Sequence, residues 1–144
     1  MMRIFTIGYE GATMDAFLAA LKDAGVERVI DVRALPLSRR PGFSKSALRG
    51  ALEEVGIDYV HLKALGTPAE GRLAARSGRH AQMARIYKGQ LELPEAIVQS
   101  AQMLALASEK PSALLCFERD PLHCHRTLLL EAVAPLANVT DLFA

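Results

Sequence analysis

The stretch Leu114-Leu115-Cys116-Phe117-Glu118-Arg119-Asp120-Pro121-Leu122-His123-Cys124-His125-Arg126 reads as a buried strand, a short polar loop and the first turn of a helix. Strand-to-helix turns of this kind are where α/β proteins place their ligands. Both cysteines, two of the four histidines, two arginines and two acids fall within this one stretch, so it is read as a site.

The same strand-to-helix pattern extends outward in both directions. Arg3 to Tyr9 is an apolar first strand. Thr13 then serves as an N-cap, Met14, Phe17, Leu18 and Leu21 follow helical spacing, and Gly25 ends the helix. Val26 to Val32 is the second strand. Ser44 or Ser46 opens a helix carrying Leu48, Ala51, Leu52 and Val55, which Gly56 closes, and Ile57 to Leu62 is the third strand. The segment 64–90 holds four glycines and weak periodicity, which predicts irregular, mobile chain with one or two short helices. Pro94 suits the first turn of a long helix with Ile97, Ser100, Ala101 and Leu104 on one face. Ala113 to Phe117 is the fourth strand, a last helix buries Leu129, Ala132, Val133 and Leu136, and Val139 to Phe143 is a short terminal strand. Alternating elements with continuously apolar strands predict a three-layer α/β sandwich, a mainly parallel sheet of about five strands covered on both faces.

A chain of 144 residues, 51% hydrophobic, is read as a single domain over 1–144. Two cysteines are too few for a secreted disulfide scaffold, and no apolar run approaches membrane-spanning length. A reduced, cytoplasmic protein without a membrane partner is expected. The net charge of +1 conceals two basic blocks, Arg28 to Arg49 and Gly66 to Glu92. Together they hold eleven of the 17 basic residues and three of the 16 acidic ones. If the blocks meet in the fold, that face attracts anions.

In an open parallel sheet every strand's carboxyl end lies on one edge. Tyr9, Asp31, Arg33, His61, Glu118 and Arg119 are therefore expected to face a common crevice, rimmed by Glu10 and Gly11, by Ser38, Arg39 and Arg40, and by His123 to Arg126.

The residues that form this crevice also carry a family likeness. Thr6-Ile7-Gly8-Tyr9, Ile30-Asp31-Val32-Arg33 with Pro36 and Ser38-Arg39, Pro41-Gly42-Phe43-Ser44-Lys45, Tyr59-Val60-His61-Leu62 with Leu65-Gly66, and Cys116-Phe117-Glu118 with Cys124-His125-Arg126 occur in order over nearly the whole chain. In these the sequence resembles the uncharacterised family numbered 488 in the domain-of-unknown-function series (DUF488). The resemblance implies an α/β bacterial or archaeal domain whose shared polar residues are those at the strand ends. Glu10 departs from it, since such sequences often carry a small hydroxyl residue there.

Several chemistries fit the residue types. Arg33 and Arg126 are candidates to grip a phosphate or carboxylate, because a guanidinium offers paired donors and stays charged, or else they brace the loops as ion pairs with Asp31 and Glu118. Tyr9, Ser38, Arg39, His61, Arg119 and His125 complete the expected ligand-binding set. Glu118 and Asp31 are candidate proton-transfer groups, one raised in pKa by burial and one kept ionised beside an arginine. Cys124, near a helix N-terminus and flanked by His123, His125 and Arg126, is a candidate nucleophile. A cysteine-phosphatase loop would place arginine six residues later, where Leu130 stands, and the same count from Cys116 reaches Leu122. Ile30 to Arg33 is similar to the corresponding strand of rhodanese-type sulfurtransferases, whose reactive cysteine directly follows its strand, whereas Cys116 here lies within the strand as a buried structural residue.

Cys116, Cys124, His123, His125 and His61 lack Cys-x-x-Cys or His-x-x-x-His spacing, and adjacent helical residues point apart, so no metal site is predicted. Walker, Rossmann and Gly-x-Ser-x-Gly signatures are absent, and the sequence names no cofactor. Arg39, Arg40, Lys45 and Arg49 suit a phosphate backbone, with Tyr9, Phe43 or Tyr87 as stacking faces. The leading reading is a phosphorylated small molecule or nucleic acid as partner, handled by carboxylate acid/base chemistry. The alternatives are a non-catalytic phospholigand-binding module and rhodanese-like sulfur transfer through Cys124.

Overall fold

The computed structural model describes residues 2–144, and of His123 the main chain alone. The strands are β1 (Arg3–Gly8), β2 (Arg28–Asp31), β3 (Asp58–His61), β4 (Ser112–Cys116) and β5 (Asn138–Phe143). The helices are α1 (Met14–Asp23), α2 (Lys45–Glu54), α3 (Ala69–Arg76), α4 (His80–Leu91), α5 (Pro94–Glu109) and α6 (His125–Val133). One sheet in the order β3-β2-β4-β1-β5 is parallel throughout. Alternation along each strand sends Phe5, Ile7, Val29, Ala113 and Leu115 to the face covered by α1 and α2. It sends Ile4, Ile30 and Leu114 to the face covered by α3 to α6. The result is a three-layer α/β sandwich.

Local signals set most boundaries. The Thr13 hydroxyl accepts from Ala16 N at 3.1 Å, capping α1, and Gly25 turns the chain at φ +76°. Ser44 is the N-cap residue of α2, and Pro94 opens α5.

Three expectations are corrected. The segment 64–90 is largely helical, folding as a short 3-10 turn and then α3 and α4. Two of its glycines, Gly66 and Gly71, mark close packing: a Cβ on Gly71 would stand 2.5 Å from the Thr67 methyl and 3.3 Å from Ile86 of α4. Helix α5 buries Ala96, Ser100, Met103 and Ala107, leaving Ile97 58% exposed. Both faces have helical spacing, and the one with smaller side chains packs under the sheet. Helix α6 buries His125, Arg126, Leu129 and Leu130, while Ala132 is on its exposed side and Leu136, beyond the helix end at Val133, is exposed as well. Among the described residues no helix is long and apolar enough to cross a membrane.

Candidate functional site

The chain leaves β2 toward one face of the sheet and β4 toward the other, and this divergence opens a crevice at the carboxyl edge. A cavity of about 580 Å³ lies there. Arg33, Arg39 and Arg40 after β2 and Arg72 and Arg76 on α3 line it, so the two basic blocks do meet. Glu118 is the one carboxylate in the lining among the described residues.

Asp31 and Arg33 form the floor. The Asp31 carboxylate is fully buried and takes both Arg33 Nε (2.9 Å) and Nη2 (2.8 Å), and the Tyr59 hydroxyl donates to it at 2.5 Å. Arg33 Nη1 donates further to Phe43 O (2.8 Å) and Tyr9 Oη (3.3 Å). Burial works against the Arg33 charge, but the Asp31 carboxylate outweighs it and the guanidinium pKa ends above its ordinary value. Burial, reinforced by Asp31, pushes the Tyr59 hydroxyl upward and keeps it a donor. His61 Nε2 donates to Arg33 O at 2.7 Å, tying β3 to the same loop, and its ring does not line the cavity. Arg33 thus spends most of its donors inside the protein.

The loop after β4 forms the wall. Gly8 makes it possible, since a Cβ there would stand 1.7 Å from Glu118 O. Arg126 is fully buried beneath the loop, donating from Nη1 to Glu118 O (2.7 Å) and Cys116 Sγ (2.8 Å) and from Nη2 to Arg119 O (3.2 Å). Burial lowers its pKa, and no carboxylate of the described residues lies within ion-pair distance of it. Its Nε has no partner among the described residues. The Arg119 side chain turns away to lie over the Phe143 ring at 5.0 Å, and Arg119 N donates to Glu10 Oε1 (3.0 Å). The departure at Glu10 therefore supplies an anchor for this loop.

Cys116 and Cys124 are joined in a disulfide, correcting the expectation of separate reduced thiols. Cys124 as a nucleophile requires that bond to be opened first. His125 Nε2 donates to Val32 O at 2.7 Å, a carbonyl that can only accept, so Nδ1 carries the lone pair. That nitrogen stands 3.8 Å from Cys124 Sγ. Burial drives the imidazole pKa down to about 4, which keeps it neutral. Cys124 lies before the helix with extended backbone, φ −124° and ψ 150°, and its sulfur nevertheless comes within 3.8 Å of the imidazole of the next residue, so these two adjacent side chains are not kept apart.

Tyr9, Arg33, Ser38, Arg39, Glu118 and His125 share the cavity lining, whereas Asp31, His61, Arg119 and Arg126 support it from behind or outside. The expected stacking faces are corrected: Tyr9, Phe43 and Tyr87 are all buried, Tyr9 stacking on Phe43 at 4.7 Å. Phe117, 44% exposed and in the lining, is the available ring. Arg72, Arg76 and Phe117 were not singled out as site residues from sequence, although the second basic block and the central motif contained them.

Fold and crevice together define an all-parallel α/β protein with a cationic cavity at the carboxyl edge of its sheet. Residues 13–133 match the family described as Domain of unknown function DUF488, and the chain belongs to that family. No curated protein and no solved structure matches the chain significantly.

Proposed function

We propose that the chain binds a phosphate-bearing small molecule with a flat apolar body, of the nucleotide kind, in the arginine-lined cavity. The observation that carries this is the charge imbalance: five guanidinium groups and one carboxylate line one space. Arg39 and Arg76 take part in no salt bridge among the described residues, so their paired donors are available to a phosphate. Arg33 and Arg126 have their donors committed inside the protein; Asp31 neutralises Arg33, and Arg126, which forms no salt bridge among the described residues, lends positive potential rather than direct contacts. Phe117, Leu35 and Leu37 supply apolar surface for the rest of the ligand. A space of about 580 Å³ suits a single small molecule better than a nucleic-acid strand. Glu118 is the acid/base group in this reading. Sulfur transfer through Cys124 ranks behind it because Cys124 is held in the disulfide.

Titration calorimetry with nucleoside phosphates, the matching nucleosides and inorganic phosphate tests the proposal. Binding should require the phosphate, and Arg39→Ala and Arg76→Ala should each weaken it about tenfold, one charge-assisted hydrogen bond, with unchanged melting temperature. Equal binding of nucleoside and nucleotide, or wild-type affinity in both variants, would overturn it.

A further inference from the structure

We infer that, once the disulfide is reduced, Cys116, Cys124 and Glu118 form a binding site for a soft divalent cation such as zinc, with His125 next to Cys124 as the fourth ligand. One ligand atom from each of Cys116, Glu118 and Cys124 lies within 4.8 Å of the others. The His125 Nδ1 lone pair stands 3.8 Å from Cys124 Sγ, close to the roughly 3.5 Å that separates two ligands on a tetrahedral ion with ligand bonds of about 2.0–2.3 Å. Its Nε2 already donates to Val32 O, the outer hydrogen bond that orients a metal-binding imidazole and selects its tautomer. Two thiolates and an imidazole are the ligand types that select zinc over magnesium or calcium.

The main chain is already spaced for the ion. The two Cα atoms are 7.2 Å apart, beyond the roughly 4.4–6.8 Å usual for a disulfide, so the sulfurs can part around a cation without backbone movement. Charge is balanced as well. Two thiolates neutralise a divalent ion, and the Glu118 carboxylate offsets Arg126, whose Nη1 donates to Cys116 Sγ at 2.8 Å. Cys116, Glu118 and His125 all line the cavity, so the ion would face its contents.

Formation needs a thiol reductant of the dithiol class. The dithiol gives up two electrons and two protons as it closes into its own disulfide, and Cys116 and Cys124 become thiols. Each thiol then releases its proton to solvent as its sulfur donates a pair to the cation. The site does not rest on the phospholigand reading, because the ion alone is the probe.

The test is a cobalt(II) titration of the whole chain, oxidised and reduced, with the reductant removed beforehand and no phosphate present. Reduced protein should bind one ion with a thiolate-to-cobalt charge-transfer band and tetrahedral d–d absorption, and zinc should displace it. Oxidised protein should show no band. His125→Gln keeps both cysteines and should lower affinity at least about tenfold, the smaller effect expected even for an outer-shell partner. Cys124→Ser should abolish the band, with circular dichroism confirming the fold. No charge-transfer band in reduced wild type, equal binding by oxidised protein, or unchanged affinity in a folded His125→Gln protein would overturn the site.

Discussion

The two edges of the sheet treat charge in opposite ways. At the amino edge, Arg28 and Lys110 meet Asp58 and Glu109, with Lys110 Nζ 2.6 Å from Asp58 and Arg28 Nη1 2.8 Å from Glu109. Two cations face two carboxylates, and both carboxylates are more than half exposed. At the carboxyl edge the Asp31–Arg33 pair is buried, Arg126 is buried with only carbonyl and sulfur acceptors, and Arg39 and Arg76 form no salt bridge among the described residues. A balanced edge holds the fold and asks nothing of solvent. An unbalanced one leaves cationic groups whose complement is an anion from outside the chain.

The sharpest way to break this contrast is to remove one carboxylate from each edge. Asp31→Ala strands a buried guanidinium and should cost about 3–5 kcal/mol of unfolding free energy, read by denaturant titration. Asp58→Ala, at a side chain 52% exposed, should cost about 1 kcal/mol or less, and equal losses would erase the distinction.

Gly8→Ala strikes the carboxyl edge from the neighbouring strand. Its Cβ meets main chain at 1.7 Å, so the Glu118 loop must shift, at a cost of about 3 kcal/mol and with loss of ligand binding. Wild-type stability and binding in this variant would show that the wall does not depend on that close approach.

Acid should loosen the same edge through His125. Its folded pKa of about 4 lies below the ordinary 6.5, so between these values the unfolded chain binds a proton that the folded chain refuses. Stability is therefore complete above about pH 6.5 and falls as pH drops toward 4, by about 3 kcal/mol in all. Melts of the oxidised protein at stepped pH should show this slope, and His125→Gln should flatten it.

The smallest effect concerns the exposed arginines. Arg39→Ala and Arg76→Ala should leave stability within about 0.5 kcal/mol while reducing phosphate-ligand affinity. A melting shift as large as that of Asp31→Ala would place them among the structural braces instead.

What the sequence determined by itself is the part written in local chemistry. Thr13, Gly25, Ser44, Gly56 and Pro94 punctuate helices through caps and turns that involve only near neighbours, and apolar runs such as Leu114-Leu115 specify strands buried on both faces. A parallel sheet then places Tyr9, Arg33 and Glu118 at one edge, because every strand points the same way. Tertiary structure alone decided which of two equally periodic faces α5 buries, that α3 brings Arg72 and Arg76 to the cavity, and where each guanidinium spends its donors. It also decided that an extended Cys124 reaches both Cys116 and the neighbouring imidazole. Helical spacing names a face without naming its partner, and an arginine's five donors take whichever acceptors packing brings within about 3 Å, across gaps in sequence that no local pattern spans.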